Sequence, residues 1–223
     1  HDCLVNGVDM PSSSIILEAT PEKPLLAVSL NIDRSLTTEL AAEIPPPSGV
    51  KQTPLGIAAA PVPSVVLETF VRLVELLDRP EQVQLRAPIL IREIITRVLV
   101  SPFGPALRRI YTLGSHSNQV ADAIAWLRDN YTRPLSVEAL AGMVGMPTST
   151  FHRQFKKVTS ISPLQYQKCL RLYEAQRLML TEDMDANNAA RAVGYDNVQQ
   201  FNREYKRMFG EPPLRDIKRL RKE

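Results

Sequence analysis

The sequence predicts a mostly α-helical protein of two domains, of which the C-terminal one is all-α and carries two helix-turn-helix units on a linker helix. Three observations predict this fold. The chain has 223 residues, which is enough for two domains of ordinary size. Apolar residues recur at helical spacing through much of residues 64–99. The C-terminal half contains an internal repeat, and each copy has the pattern helix, glycine-containing turn, helix.

The N-terminal domain, residues 1–117, is predicted to be α+β. Short apolar runs at 14–19 and 25–32, set apart by prolines, predict strands. Residues 35–43 predict a short helix that ends before a run of three prolines, and residues 55–60 predict a further strand.

Two amphipathic helices are predicted to follow. The first begins at Ser64 and stops near Pro80, and the second runs from Pro88 to Leu99. In both, apolar residues recur at steps of three and four residues. Two adjacent amphipathic helices indicate either a hairpin packed on the strands or a subunit interface, so the helices near 64–99 are a candidate surface for a homodimer.

The domain boundary is predicted at the short polar segment 113–117, which follows a helix-breaking stretch at 101–105. From residue 118 onward almost every segment is predicted to be helical. Residues 1–117 contain 10 basic and 12 acidic side chains, whereas residues 118–223 contain 17 basic and 12 acidic ones. The second domain, residues 118–223, is therefore the candidate for binding a polyanion.

The repeat places two units at 136–159 and 185–209, with a spacing of 49 to 50 residues. The second copy has one extra residue in its turn. The matching pairs are Ala141 and Ala190, Val144 and Val193, Gly145 and Gly194, Phe151 and Phe201, Arg153 and Arg203, Phe155 and Tyr205, and Lys156 and Lys206.

Each copy begins with a residue that favours a helix N-cap, Ser136 or Asp185. Each first helix is predicted to end at a glycine, Gly145 or Gly194, because glycine accepts the left-handed conformation at low cost. Between the copies, residues 163–180 predict one helix about 25 Å long. Such a rod could hold two recognition helices at the separation of about 34–36 Å that successive major grooves on one DNA face require.

The second helix of each unit separates apolar from polar residues. Phe151 and Phe155, and in the second copy Phe201, Tyr205 and Phe209, are predicted to be buried. Arginine can pair with guanine, glutamine and asparagine with adenine, and lysine with phosphate, so the opposite face predicts contact with double-stranded DNA. The residues on that face are Ser149, His152, Arg153 and Lys156 in the first unit and Gln199, Asn202, Arg203 and Lys206 in the second.

Residues from about Ala121 to Lys218 closely resemble the DNA-binding region of the AraC/XylS family of bacterial transcription regulators. The most specific part is Val193–Gly210, followed by two prolines. The chain departs from the family at Ser160, where glycine is usual, and at Ala186 and Ala189, where larger apolar residues are usual. The resemblance implies that Ser149, His152 and Arg153 read one segment of the major groove, and that Gln199, Gln200 and Arg203 read the next.

Residues 14–32 are similar, more weakly, to the later part of the family's cupin-like barrel, which precedes a helical dimerisation region. This resemblance implies a partial barrel that binds a small-molecule effector, here of unknown identity, and it adds RNA polymerase as a candidate partner. The chain begins at His1 and not at methionine, so we expect the N-terminus and the first barrel strands to be missing.

An enzyme is not expected. The only histidines, His1, His116 and His152, have no metal-ligand spacing, and no glycine-rich phosphate loop or nucleophile elbow occurs. We therefore predict no catalytic residue, metal or cofactor. Two alternatives stay open: a cupin-type metal enzyme, and a DNA-bending protein that tolerates many sequences.

Two cysteines far apart, Cys3 and Cys169, do not form a disulfide framework and fit a reducing cytoplasm. No run approaches the ~20 apolar residues that span a bilayer, so no membrane partner is expected. A sensing thiol at Cys3 is a further hypothesis, although nothing near it in the sequence predicts a lowered pKa.

Overall fold

The computed structural model describes residues 2–6, 20, 22–45, 57–112 and 114–221. Within these ranges the chain is mostly helical, as the sequence predicts. Backbone contacts divide it into two compact units, His1–Ala121 and Asp122–Glu223. None of the described helices is both long and apolar enough to cross a membrane.

The N-terminal unit, His1–Ala121, combines one two-stranded antiparallel sheet with several helices. Strand β1 pairs with β2 so that Cys3 lies opposite Ala60 and Val5 opposite Ala58. A short 3₁₀ helix at Glu75–Asp78 connects the second and third helices. The elements are β1 Asp2–Asn6, α1 Arg34–Glu43, β2 Ile57–Pro61, α2 Ser64–Val74, α3 Pro80–Val100, α4 Gly104–Tyr111 and α5 His116–Asn130, which continues into the second unit.

The strand predicted at 25–32 is wrong. The backbone there forms no strand, and Leu25, Leu26 and Val28 are exposed, Leu26 to 88%. A strand needs a neighbour for its backbone hydrogen bonds, and among the described residues this run has no paired strand. The strand predicted at 14–19 lies outside the described residues, and the one near 55–60 is confirmed as β2. The described part of the chain thus shows two paired strands and no barrel.

The helices of the N-terminal unit follow the predictions, with one correction. The helix predicted at 35–43 is confirmed as α1, and α2 begins at Ser64 as predicted. The second amphipathic helix was predicted to begin at Pro88, but α3 begins at Pro80 and contains Pro88 in its interior. Proline is well suited to the first turn of a helix, so Pro80 provides the start, and tertiary packing retains the helix past Pro88.

The core of the N-terminal unit is formed by the apolar faces of these helices together with a residue of β1 and the residue before α4. It contains Val5, Leu40, Val66, Ile94, Ile95, Val98, Leu99, Phe103 and Leu107. Helices α2 and α3 are also joined by a polar contact, because Arg72 of α2 donates to Glu93 of α3 with an Nη2–Oε2 distance of 2.9 Å. Arg97, one turn further along α3, donates to the other oxygen of Glu93 at 2.6 Å. The two guanidiniums lower the pKa of Glu93.

The C-terminal unit, Asp122–Glu223, is all-α among its described residues. The linker helix predicted at 163–180 is confirmed as α8. Its core surrounds α8 and includes Leu172, Ala175, Met179, Ala190, Val193, Phe201, Tyr205 and Ile217. After α5, its helices are α6 Val137–Met143, α7 Thr148–Thr159, α8 Pro163–Thr181, α9 Ala186–Ala192, α10 Val198–Phe209 and α11 Pro213–Leu220.

Helix α7 is followed by its C-cap residue Ser160, which has a left-handed backbone with φ 66°. The matching residue after α10 is Gly210, with φ 84°. A side chain in this conformation costs roughly 1–2 kcal/mol that glycine avoids. We therefore expect Ser160→Gly to raise the free energy of unfolding by about 1 kcal/mol in urea denaturation. Ser160→Ala keeps the Cβ and should give no gain; an equal gain from both would refute the explanation.

Candidate nucleic-acid interface

The two helix-turn-helix units begin with side-chain caps at the residues that the sequence predicts. Ser136 Oγ accepts a hydrogen bond from the backbone N–H of Ala139 at 3.2 Å, and Asp185 Oδ1 accepts from those of Asn187 and Asn188 at 2.9 and 3.0 Å. These bonds satisfy backbone donors that a helix start leaves unpaired.

The turns of the two units share one backbone geometry. Gly145 and Gly194 have φ values of 71° and 87°, which confirms the predicted left-handed turns. In both copies the next residue donates its N–H to an alanine of the first helix at 2.9 Å, Met146 to Ala141 and Tyr195 to Ala190. The repeat in sequence is therefore a repeat in structure, and the extra residue of the second copy, Asp196, is accommodated after this bond.

The apolar faces of α7 and α10 are buried as predicted. Phe151 and Phe155 in the first unit and Phe201 and Tyr205 in the second are fully buried. Phe209, also predicted to be buried, is only half-buried because it lies at the last residue of α10. One face of each helix is thereby fixed against α8 and its neighbours, which leaves the opposite face to solvent.

All the side chains that the sequence predicts for DNA contact lie on that solvent-facing side. They occupy successive turns of α7 in the first unit and of α10 in the second. Each of the nine is exposed: Ser149, His152, Arg153, Lys156, Gln199, Gln200, Asn202, Arg203 and Lys206.

Three of these residues also line a shallow groove beside α10, with a volume of about 410 Å³. Its polar members are Asn202, Arg203 and Lys206, and the apolar ones are Ala186, Pro212, Pro213 and Leu214. Ala186 is one of the positions where the sequence departs from the resembling family towards a smaller side chain. The groove therefore extends the exposed basic face of α10 towards the start of α11.

Helices α7 and α10 are held in place by different chemistry at the matching residues Phe155 and Tyr205. In the first unit Phe155 packs edge-on against Tyr166, with ring centroids 5.6 Å apart. In the second unit Tyr205 donates its hydroxyl to the buried carboxylate of Asp216 at 2.8 Å, and Gln176 of α8 donates to the same oxygen at 2.7 Å. Burial, together with this carboxylate, raises the pKa of Tyr205. An apolar contact thus secures α7 where a hydrogen-bonded cluster secures α10.

Arg171 of α8 holds the turn of the second unit, and sequence reasoning assigned it no such role. Its Nε donates to the carbonyl oxygen of Tyr131 at 2.7 Å and its Nη1 to that of Gly194 at 2.8 Å. Its Nη2 donates to the carbonyl oxygens of Thr132 and Arg133, both at 3.1 Å. The guanidinium therefore ties the segment that follows α5 to the turn that precedes α10, and its burial lowers its own pKa.

Glu204 is an acidic residue on the otherwise basic recognition helix α10, and sequence reasoning also missed it. Lys168 of α8 donates to Glu204 Oε1 at 2.6 Å, and Tyr195 donates its hydroxyl to Oε2 at 2.7 Å. Although partial burial opposes it, these bonds lower the pKa of Glu204. The negative charge is therefore matched by Lys168 and belongs to the contact between α10 and α8.

The cysteines and the described His, Asp and Glu side chains do not support a reactive thiol or a metal site. Burial raises the pKa of the Cys3 thiol and of the Cys169 thiol, which is opposite to the shift that makes a thiol reactive. Within the part of the chain that the structure describes, no group of three or more His, Cys, Asp or Glu side chains could hold a metal ion.

Comparisons with known proteins identify the families and relatives to which the sequence is similar. Residues 1–106 match a family model described as the N-terminus of AraC-type transcriptional regulators, and residues 140–219 match one described as a helix-turn-helix domain. The HTH-type transcriptional activator RhaS of Escherichia fergusonii is 31% identical over 159 residues, which are 69% of this chain and 55% of that protein. RhaS of Pectobacterium carotovorum is 31% identical over 100 residues, which are 45% of this chain and 36% of the relative.

The chain thus spans between about a third and about half of the length of these curated relatives, 36% and 55%. Among solved structures, it is similar to the DNA-binding domain of AdpA, a global transcriptional factor crystallised in complex with a target DNA. That match has 28% identity and a TM-score of 0.44, and it covers 46% of this chain and 93% of the other. A probable AraC family regulator from Rhodopseudomonas palustris matches 46% of this chain and 97% of its own with 28% identity and a TM-score of 0.43.

Proposed function

The chain belongs to the AraC family of transcription regulators, and from this premise we propose that it regulates transcription by binding specific sequences of double-stranded DNA. The observation that carries the proposal is the face that α7 and α10 leave exposed. Nine side chains suited to bases and phosphates lie on it, in two units that share one turn geometry. The DNA would be chromosomal, so the proposed site of action is the bacterial cytoplasm.

In the proposed complex, α7 and α10 enter successive major grooves on one face of the duplex. Helix α8 has 19 residues and is therefore about 28 Å long, comparable to the separation of about 34–36 Å between such grooves. Arg153 and Arg203 would pair with guanine, and Lys156 and Lys206 would contact phosphates. The remaining contacts would come from Ser149, His152, Gln199, Gln200 and Asn202.

Selection of bound sites from a pool of random duplexes tests this proposal. We expect one enriched motif with two elements about one helical turn, roughly 10 base pairs, apart. Binding without any enriched motif would instead favour a DNA-bending protein that tolerates many sequences, and no binding at near-physiological salt would refute the proposal.

The N-terminal unit, His1–Ala121, carries a surface suited to a homodimer. Several large apolar side chains of the α2–α3 hairpin are exposed, among them Leu77 to 74%, Leu85 to 77% and Ile89 to 67%. Leu85 and Ile89 lie one turn apart on α3, so they form a stripe that a second copy could cover. We propose that two chains pair through this stripe, which would bring two DNA-binding units to one promoter.

Leu85→Glu combined with Ile89→Glu should abolish this pairing. Burial of each side chain contributes roughly 1.5–3 kcal/mol, so the dimer dissociation constant should rise at least about a hundredfold in sedimentation equilibrium. Gln84→Glu adds a charge at an exposed position of the same helix and serves as the control. A double variant that dimerises as tightly as this control would contradict the assignment of the surface.

The N-terminal unit is also the proposed effector-binding unit. Its match to the N-terminus of AraC-type regulators supports this role, and the cupin-like barrel remains part of the proposal. A small molecule would bias how this unit pairs the DNA-binding units and so change promoter occupancy, including access for RNA polymerase. Promoter affinity measured with and without a broad panel of metabolites tests the idea, and an unchanged affinity throughout would count against it.

A further inference from the structure

The carboxylate of Glu204 also reaches a side chain on the exposed face of α10. Gln200, one helical turn earlier, donates its Nε2 to Glu204 Oε1 at 3.1 Å. The same oxygen is held by Lys168 at 2.6 Å, and Oε2 is held by Tyr195 at 2.7 Å. The carboxylate is therefore fixed from α8 and from the preceding turn, and it offers Gln200 an anchored acceptor.

The chemistry of this pair determines how Gln200 faces solvent. An ionised carboxylate only accepts hydrogen bonds, so only the NH₂ end of the Gln200 amide can face it. The low pKa of Glu204 keeps it ionised at neutral pH. One N–H of Gln200 is thereby engaged, and one N–H and the carbonyl oxygen are left to meet a ligand.

We propose that Glu204 is a positioning residue that orients Gln200 to read adenine in preference to guanine, an inference that rests on the DNA binding proposed above. Adenine presents one acceptor, N7, and one donor, the N6 amino group, in the major groove. This pattern matches the one N–H and the one oxygen that Gln200 has free. Guanine presents two acceptors, N7 and O6, and would require the N–H that Glu204 holds.

The pairing of Gln200 with Glu204 is specific to the second helix-turn-helix unit. In the repeat, Thr150 stands at the position of Gln200 and Gln154 at that of Glu204, so the first unit has no carboxylate there. The requirement for adenine therefore concerns one position, in the half of the binding site that contacts α10.

Five forms of the full chain, put through the same selection from random duplexes, test the inference. Gln200→Ala locates the position, because only there should the preference for adenine disappear. Glu204→Met has a similar length without an acceptor and frees Gln200 to donate both N–H groups. The preference for adenine over guanine at that position should then fall from about tenfold or more to below about threefold, with the rest of the motif kept.

Two further variants distinguish positioning from a loss of stability. In Glu204→Gln, Lys168 still needs an acceptor, so the new amide oxygen should occupy the place of Oε1 and restore the adenine preference. Tyr195→Phe removes one support of the carboxylate but leaves the bond to Gln200, so the preference should persist even where affinity falls. Loss of the preference in Tyr195→Phe, or its retention in Glu204→Met, would overturn the proposal.

Nuclear magnetic resonance of the wild-type chain without DNA gives a second measurement that needs no variant. One of the two side-chain amide protons of Gln200 should be shifted downfield and exchange slowly, unlike those of the exposed Gln199. Two solvent-like protons on Gln200 would overturn the proposal. If the wild-type selection enriches no motif, sequence-specific DNA binding as a whole is refuted. If it enriches a motif but Glu204→Met keeps the adenine preference, only the positioning role of Glu204 is refuted.

Discussion

Replacing Gly194 with alanine is expected to lower the free energy of unfolding of the C-terminal unit by about 3 kcal/mol or more. The residue has φ 87°, and an added Cβ would lie 2.2 Å from the carbonyl oxygen of Thr132. The new methyl group would have to displace backbone, and Arg171 holds that same backbone in place. Urea denaturation of the full chain, followed by circular dichroism at 222 nm, measures the loss.

Gly210→Ala is the matched control for this prediction. Gly210 has nearly the same backbone conformation, φ 84°, but among the described residues beyond its two chain neighbours no atom lies within 4 Å of the added Cβ. It should therefore cost only the left-handed conformation, roughly 1–2 kcal/mol. The difference between the two variants isolates the contact with Thr132. Equal losses would show that the close approach at Gly194 does not contribute.

Arg203→Ala is expected to weaken binding to the selected DNA site by about 1–3 kcal/mol, which is roughly 5- to 150-fold in the dissociation constant. The guanidinium is exposed on the outer face of α10, where it can donate two parallel hydrogen bonds to one guanine. Its loss should also relax the base preference at a single position. Fluorescence anisotropy with a set of single-base variants of the site measures both effects.

Lys206→Ala tests the alternative role on the same helix. A lysine at a phosphate contributes to every sequence alike, so the variant should weaken all duplexes by a similar factor and reduce the slope of log affinity against log salt by about 1. Our assignment of the groove-facing residues would be wrong if Arg203→Ala left affinity and preference intact, or if Lys206→Ala changed the preference for one base.

The C-terminal unit was predictable from sequence because the architecture of its two helix-turn-helix units depends on local chemistry. Ser136 and Asp185 cap helices through side chains that bond to backbone two or three residues away. Gly145 and Gly194 end helices because of their own backbone freedom. The duplication of this pattern made each assignment a check on the other, and it also predicted which faces of α7 and α10 are exposed.

The features that the sequence did not predict depend on contacts between distant residues. A strand at 25–32 requires a neighbouring strand, and an apolar run carries no information about whether that neighbour is present. The bonds of Arg171 join carbonyl groups 23 to 40 residues away, and Lys168 meets Glu204 across 36 residues. The polar residues of α8 near Arg171 were the available indication that a helix in the core also serves polar partners.

The four carbonyl oxygens around Arg171 make this position dependent on the shape of its side chain and not only on its charge. A guanidinium carries five N–H donors in a flat, forked arrangement, so it can bond to Tyr131 and Gly194 on different sides at once. A lysine at this position would keep the positive charge but would present three donors from a single point. An exchange that is conservative elsewhere on the surface would therefore leave several peptide oxygens beneath the turn without their partners.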